Sequence, residues 1–197
     1  MILQIVRERL KTGAEAAYRE IEDETARLCA ELNCPHPHLA IELPTHLTEV
    51  WWLNEFASDA DRHRVEKEYA ENRLLMEVLE RNSARKRRVT EPFVSVYAAH
   101  RPDLSRGAAW TIAGARFVVV AVTRETPQAD GSVFEAPDGV RFIMKPARTP
   151  EQADEDARAL GHDARVFTVR PYWGVPAAEW VAADPDFWSE NPIARCK

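Results

Sequence analysis

The sequence predicts a mixed α+β fold on an antiparallel sheet, and three observations carry that expectation. Residues Leu47 to Ser58 read as a strand with large apolar side chains on both faces that runs directly into a helix start. The first hundred or so residues follow the order strand, helix, strand, strand, helix, strand, and the remainder follows the same order without its first helix. At 197 residues the chain is long enough to bury roughly 70% of its unfolded surface, so it needs no disulfide or metal staple to fold. Its 26 basic and 32 acidic residues give a formal charge of -6, which argues against a nucleic-acid partner. Three cysteines are an odd, sparse set, as a reducing compartment would favour. The first residues are interrupted by Gln4 and ended by charges, and no run approaches the roughly eighteen apolar residues of a membrane span. A cytoplasmic protein with no membrane partner is expected.

The elements follow in order. Ile2 to Arg9 alternate as a strand, and Thr12-Gly13 turns the chain. A helix from Ala14 to about Glu31 carries Ala17, Tyr18, Ile21, Thr25 and Leu28 at three- and four-residue steps, with Glu22, Asp23 and Glu24 assigned to its wet face. Asn33 and Pro35 end it. Cys34-Pro35-His36-Pro37-His38 then enters a strand from Leu39 to Leu43, joined through Thr45-His46 to the Trp-rich strand in a hairpin. In that strand Val50, Trp52, Asn54 and Phe56 point one way, and Trp51 and Leu53 the other. Ser58 is a helix N-cap with Asp61 in the capping-box position. One long helix is expected to run from there to the basic cluster Arg85-Lys86-Arg87-Arg88, read as solvated charge at the negative end of the helix dipole. Phe93 to His100 form the fourth strand.

This order is that of a ferredoxin-like split β-α-β unit, assigned to residues 1–104. Leu3, Ile5, Leu39, Ile41, Leu43, Val94, Val96 and Ala98 make a uniformly apolar face suited to the helices. Gln4, Val6, Ala40, Glu42, Ser95 and Tyr97 remain on the other face, whose mixed character suits a partly polar cavity. Asn54 and Phe56 go with Trp52, but which of the two indoles joins which face depends on the register, which the sequence leaves open.

With this element order, and with Trp52-Leu53-Asn54-Glu55-Phe56-Ala57-Ser58 entering the second helix, residues 1–100 resemble the dimeric α+β barrel superfamily, in particular its antibiotic-biosynthesis-monooxygenase-like branch. The resemblance implies two ferredoxin-like units with their open sheet faces together, a pocket between each sheet and its helices, and a homodimer. Some members oxidise polycyclic aromatic substrates with oxygen and no cofactor, some degrade haem, and many have no assigned activity. Where the family often carries Trp at the end of the third strand this chain has Phe56, and where His is common on the second helix it has Val65.

Residues 115–197 form a second, smaller α+β unit. Arg116 to Arg124 hold a near-continuous apolar run read as a buried strand. Val133-Phe134-Glu135-Ala136 and Val140 to Lys145 flank Asp138-Gly139, a strong hairpin signal. Thr149-Pro150-Glu151-Gln152 combines an N-cap, a proline at the first helical position and a capping-box glutamine. Gly161 ends that helix, and Ala164 to Arg170 form a last strand. The half is either a degenerate repeat that closes the barrel within one chain or an appended domain. In the tail Trp173, Trp180 and Trp188 are assigned to packing over an apolar groove.

No Gly-x-Ser-x-Gly elbow, P-loop, dinucleotide fingerprint or His-Glu-x-x-His occurs. Cys34, His36 and His38, with Cys29 or His46 nearby, offer soft ligands, yet no second ligand pair completes a zinc pattern, so neither metal nor cofactor is expected. The candidate site therefore consists of Trp52, Phe56 and Gln4 for substrate contact and Asn54 and Tyr97 as donors to a developing oxyanion, with His38, or His100, as base. Two functions fit: a monooxygenase-like enzyme acting on a small aromatic or polyketide-like compound, and a non-catalytic binding or assembly protein on the same fold.

Overall fold

A computed structural model describes residues 1–44, 47–107, 109–127, 130–161 and 163–194. The elements are β1 (Ile2–Arg9), α1 (Glu15–Glu31), β2 (His38–Glu42), β3 (Glu49–Phe56), α2 (Asp59–Glu71), α3 (Arg73–Val89), β4 (Val94–His100), β5 (Phe117–Thr123), β6 (Ser132–Glu135), β7 (Arg141–Ala147), α4 (Pro150–Leu160), β8 (Arg165–Val175), α5 (Ala178–Ala183) and α6 (Pro185–Trp188). Eight antiparallel strands of this one chain close into a barrel in the order β1-β3-β2-β8-β5-β7-β6-β4. Residues 2–100 supply the run β4-β1-β3-β2 and residues 117–175 the run β8-β5-β7-β6, with seams at β2–β8 and β4–β6. No helix of the described residues is long and apolar enough to cross a membrane. Thr45 and His46, the expected hairpin joint, lie outside the described residues, as does Cys196.

Closure decides which sheet face is dry. The apolar set expected beneath the helices lines the barrel interior instead: Leu3, Ile5, Leu39, Ile41 and Ala98 join Trp51 and Leu53 with Phe134, Phe142 and Phe167 from the second half. Val94, expected among them, is exposed. A barrel of eight strands is just wide enough to be filled by side chains, so it takes the face that can be apolar throughout. The mixed face then turns toward α1, α2 and α3. Trp51 fills the interior between Phe167 and Phe142, with ring centroids 5.0 and 6.1 Å away. Its indole N–H donates to Glu49 Oε1 at 2.6 Å. Arg7 and Arg165 donate to the same buried carboxylate at 3.1 and 2.9 Å, tying β1 and β8 to β3.

The expected long helix is two. Asn72 leaves the helical region (φ -90°, ψ 79°), its side-chain oxygen accepts from the Leu75 N–H, and its amide donates to the Leu32 carbonyl. Asparagine competes for backbone hydrogen bonds in this way, so it starts a new helix where a periodic pattern alone runs through. The caps at Ser58 and Thr149 form as expected, accepting from the Asp61 and Gln152 N–H groups. β8 runs on to Val175, past the expected end at Arg170, and takes in Trp173, which packs on Tyr18 of α1. Trp180 and Trp188 join the interior cluster.

At the β2–β8 seam the register shifts between Leu39 and Ile41, and Gly174 (φ +84°) passes so close to β2 that an added Cβ would sit 2.4 Å from the His38 carbonyl oxygen. Gly139 also has positive φ (+81°), in the β6–β7 turn, but with open space around it. Gly139→Ala is therefore expected to cost about 1 kcal/mol, the backbone penalty alone. Gly174→Ala adds a backbone clash and is expected to cost roughly 3 kcal/mol or more. Urea denaturation of the two variants checks this, and equal losses would show that the approach of β8 to β2 is not tight.

Candidate functional site

The pairing register builds the site. Gln4 of β1 stands opposite Tyr97 of β4 on one side and Asn54 of β3 on the other, and Asn54 stands opposite His38 of β2. Tyr97, Gln4, Asn54 and His38 thus form one row across four strands, with directly opposed side chains about 5 Å apart. Trp52 and Phe56 flank that row two residues away along β3, on the same face. Against this face α1, α2 and α3 leave a cavity of about 560 Å³, and all six residues line it. Val6, Val65, Met76 and Leu79 add apolar wall. A volume of this size suits a drug-sized ligand.

His38 is held in one tautomer. Its Nδ1 lies 3.0 Å from the His36 carbonyl oxygen, which can only accept, so Nδ1 carries the proton and Nε2 the free lone pair. Burial pushes its pKa from 6.5 down to about 4, so the ring is neutral at pH 7. His36 stacks flat on Phe56 at 4.6 Å; burial lowers its pKa too, and its Nε2 has no hydrogen-bond partner among the described residues. At the rim Gln4 donates to Ser95 Oγ at 3.2 Å, and the Arg62 guanidinium lies over the Tyr97 ring at 5.1 Å. His100 lies at the β4–β6 seam against Phe134 and Ser105, not in the cavity wall.

Another part of the wall is ionic, and the sequence reading missed it. Glu22, assigned to the wet face of α1, is only 1% exposed, and Lys86, assigned to a solvated cluster, is largely buried between two carboxylates. Its ammonium lies 3.0 Å from both Glu8 Oε1 and Glu22 Oε1. Tyr18 donates its hydroxyl proton to Glu8 Oε2 at 2.5 Å, and the Trp52 indole N–H donates to the same oxygen at 3.2 Å. Glu8 is therefore fully partnered, whereas Glu22 Oε2 has no hydrogen-bond partner among the described residues. Burial pushes the Glu22 carboxyl up against the pull of Lys86. Burial alone would lower Lys86, but Glu22 and Glu8 hold it above its ordinary range. A signal was present: Tyr18, Glu22, Ala26 and Cys29 keep helical spacing as well as the assigned stripe does, and Glu8 continues the alternation of Gln4 and Val6.

Among the described residues no group of three His, Cys, Asp or Glu is placed to hold a metal ion. His46 lies outside them.

No protein-family model matches the chain, and no curated protein matches it. Among solved structures, a candidate monooxygenase from Fusobacterium nucleatum is similar in fold, with a TM-score of 0.52 and 8% identity over 86% of this chain and 91% of that one. A candidate monooxygenase from Lactobacillus acidophilus gives 0.46 at 10% identity over 86% and 92%, and an anthrone oxidase-like protein 0.42 at 12% over 86% and 91%. At 8% identity the first likeness is one of fold alone, and it spans both halves of the barrel.

The lowered pKa of His38 makes a prediction with a fixed sign. Between pH 6.5 and about 4 the unfolded chain binds a proton that the folded chain refuses, so stability is full above this window and falls as pH drops through it. The loss is on the order of 3 kcal/mol at the lower end. Urea unfolding at stepped pH is expected to give a shallower slope in His38→Gln than in the parent; identical slopes would place the imidazole in water.

Proposed function

We propose that the protein binds a flat, largely aromatic small molecule between its sheet and helices and acts as a cofactor-independent, monooxygenase-like enzyme. The observation that carries this reading is the row His38, Asn54, Gln4, Tyr97: a neutral imidazole with a free lone pair beside amide donors, in a cavity walled by Trp52 and Phe56. His38 Nε2 takes a proton from an acidic C–H of the ligand. Asn54 and Tyr97 stabilise the negative charge that spreads onto the ligand oxygen, and Gln4 holds the ring system in register. The carbanion gives its electrons to O₂ and forms a C–O bond, and the His38 imidazolium returns its proton to the peroxide anion; loss of the remaining C–H proton with the outer hydroxyl, as water, breaks the O–O bond and leaves a carbonyl. One oxygen atom stays in the product and the other leaves as water. The shared strand order of the two runs further supports reading residues 1–104 and 115–197 as ferredoxin-like halves of one barrel, the second without its first helix.

Binding without turnover is the second reading, favoured by Val65 in the wall, where the resembled family commonly has His, and by the cover of His36 on Phe56. Anthrone, a tricyclic compound with an acidic methylene, separates the two. Oxygen uptake with anthraquinone formation above the uncatalysed rate is expected, falling about 10²-fold or more in His38→Gln and in Asn54→Ala. Quenching of tryptophan fluorescence that is lost in Trp52→Phe, without oxygen uptake, would assign the binding role, and unchanged activity in Asn54→Ala would remove that residue from the mechanism.

A further inference from the structure

The end of α1 brings two thiols together. Leu32 closes the helix, Asn33 takes a left-handed φ of 54°, and the Cys34 N–H donates to the Cys29 carbonyl at 2.9 Å. This is the 6→1 hydrogen bond of a Schellman cap, in which the third residue from the helix end and the second residue beyond it pack side chain against side chain. Such caps commonly place apolar side chains at those two positions; here both are cysteine. Cys29 is 3% exposed, Cys34 packs against the same cluster as Tyr69, and both thiols line the cavity. Cys34 Sγ lies 3.0 Å from the Tyr69 hydroxyl. Hydrogen bonds from the Cys29 thiol and Tyr69 favour the Cys34 thiolate and, against burial, bring its pKa to about 7; the same hydrogen bond to Cys34, then burial and the Cys34 charge, push Cys29 up. The pair therefore has an attacking thiolate and a protonated resolving thiol.

We propose that Cys29 and Cys34 form a redox-active dithiol in the cavity wall, which closes to a disulfide on reaction with hydrogen peroxide and is reopened by a dithiol reductant. The Cys34 thiolate attacks the peroxide, forming an S–O bond as the O–O bond breaks, and the departing oxygen leaves as water. The Cys29 sulfur then displaces the hydroxyl from Cys34, its own proton leaving with that oxygen as a second water. Two thiols and one peroxide give one disulfide and two waters, with both electrons supplied by sulfur. Because both cysteines belong to one helix cap, the bond forms without pulling separate elements together.

The test uses the full chain carrying Cys196→Ser, so that only this pair remains. After peroxide treatment, blocking with iodoacetamide and tryptic digestion, residues Leu28 to Arg62 stay in one peptide, since no Lys or Arg lies between them. The expected peptide is lighter by two hydrogen atoms and carries no blocking group; dithiothreitol restores two blockable thiols. In Cys29→Ser the resolving thiol is gone, and dimedone is expected to trap Cys34 as its sulfenic acid. Two fully blockable thiols after peroxide, or equal trapping by dimedone with and without Cys29, would overturn the proposal.

Discussion

Trp51 and Trp52 leave β3 on opposite sides because side chains alternate along a strand, and this alternation separates a dry barrel from a partly polar cavity. The register of β1, β2 and β4 against β3 then fixes everything else on the cavity face. A slip of one residue would carry Asn54 into the barrel and Leu53 into the cavity, burying an amide among Phe134, Phe142 and Phe167 without a partner. The apolar interior is therefore what places His38, Asn54, Gln4 and Tyr97 in one row. Site geometry is enforced by packing on the other side of the sheet.

The ionic wall works differently. Two carboxylates and one ammonium taken from water cost more than most such groups return in stability, and a hydrophobic set of the same volume would hold Glu8, Glu22 and Lys86 positions at least as well. What the charges add is mutual fixing of three elements, β1, α1 and α3, around a polar end of the cavity. Tyr18 and Trp52 complete Glu8, so the indole that walls the ligand space is itself oriented by the network. Glu22 Oε2 is left without a hydrogen-bond partner among the described residues.

Legibility in the sequence followed the periodicities. Strands, caps and the separate sets Trp52, Asn54, Phe56 and Gln4, Tyr97 could be read from period-two alternation, whereas which face of β3 joins Gln4 and Tyr97 depends on the register, which alternation alone does not give. Which face meets the helices could not be read, because both covers accept apolar side chains and only closure by the second half assigns the drier one to the interior. Glu22 and Lys86 were misplaced for a related reason. Charge is assigned to water by default, and burial of a charged residue is set by a partner distant in sequence, here Glu8, more than seventy residues from Lys86. The break at Asn72 was hidden because the apolar stripe continues on both sides of it.

That break has a geometric cause. A single helix from Asp59 to Val89 would be about 46 Å long at its usual rise, whereas a strand the length of β3 spans only about 27 Å. One straight rod could not roof the sheet, so the same stretch covers it as two plates, α2 bringing Val65 and Tyr69 and α3 bringing Met76, Leu79 and Lys86. The hinge between them is anchored to α1, since Asn72 Nδ2 donates to the Leu32 carbonyl at 2.9 Å. Leu32 is the C-cap residue within the turn that joins Cys29 to Cys34, and Tyr69, which touches Cys34, lies three residues before Asn72. The roof hinge, the helix cap and the two thiols are thus one connected unit, held by the Asn72–Leu32 and Cys34–Tyr69 hydrogen bonds.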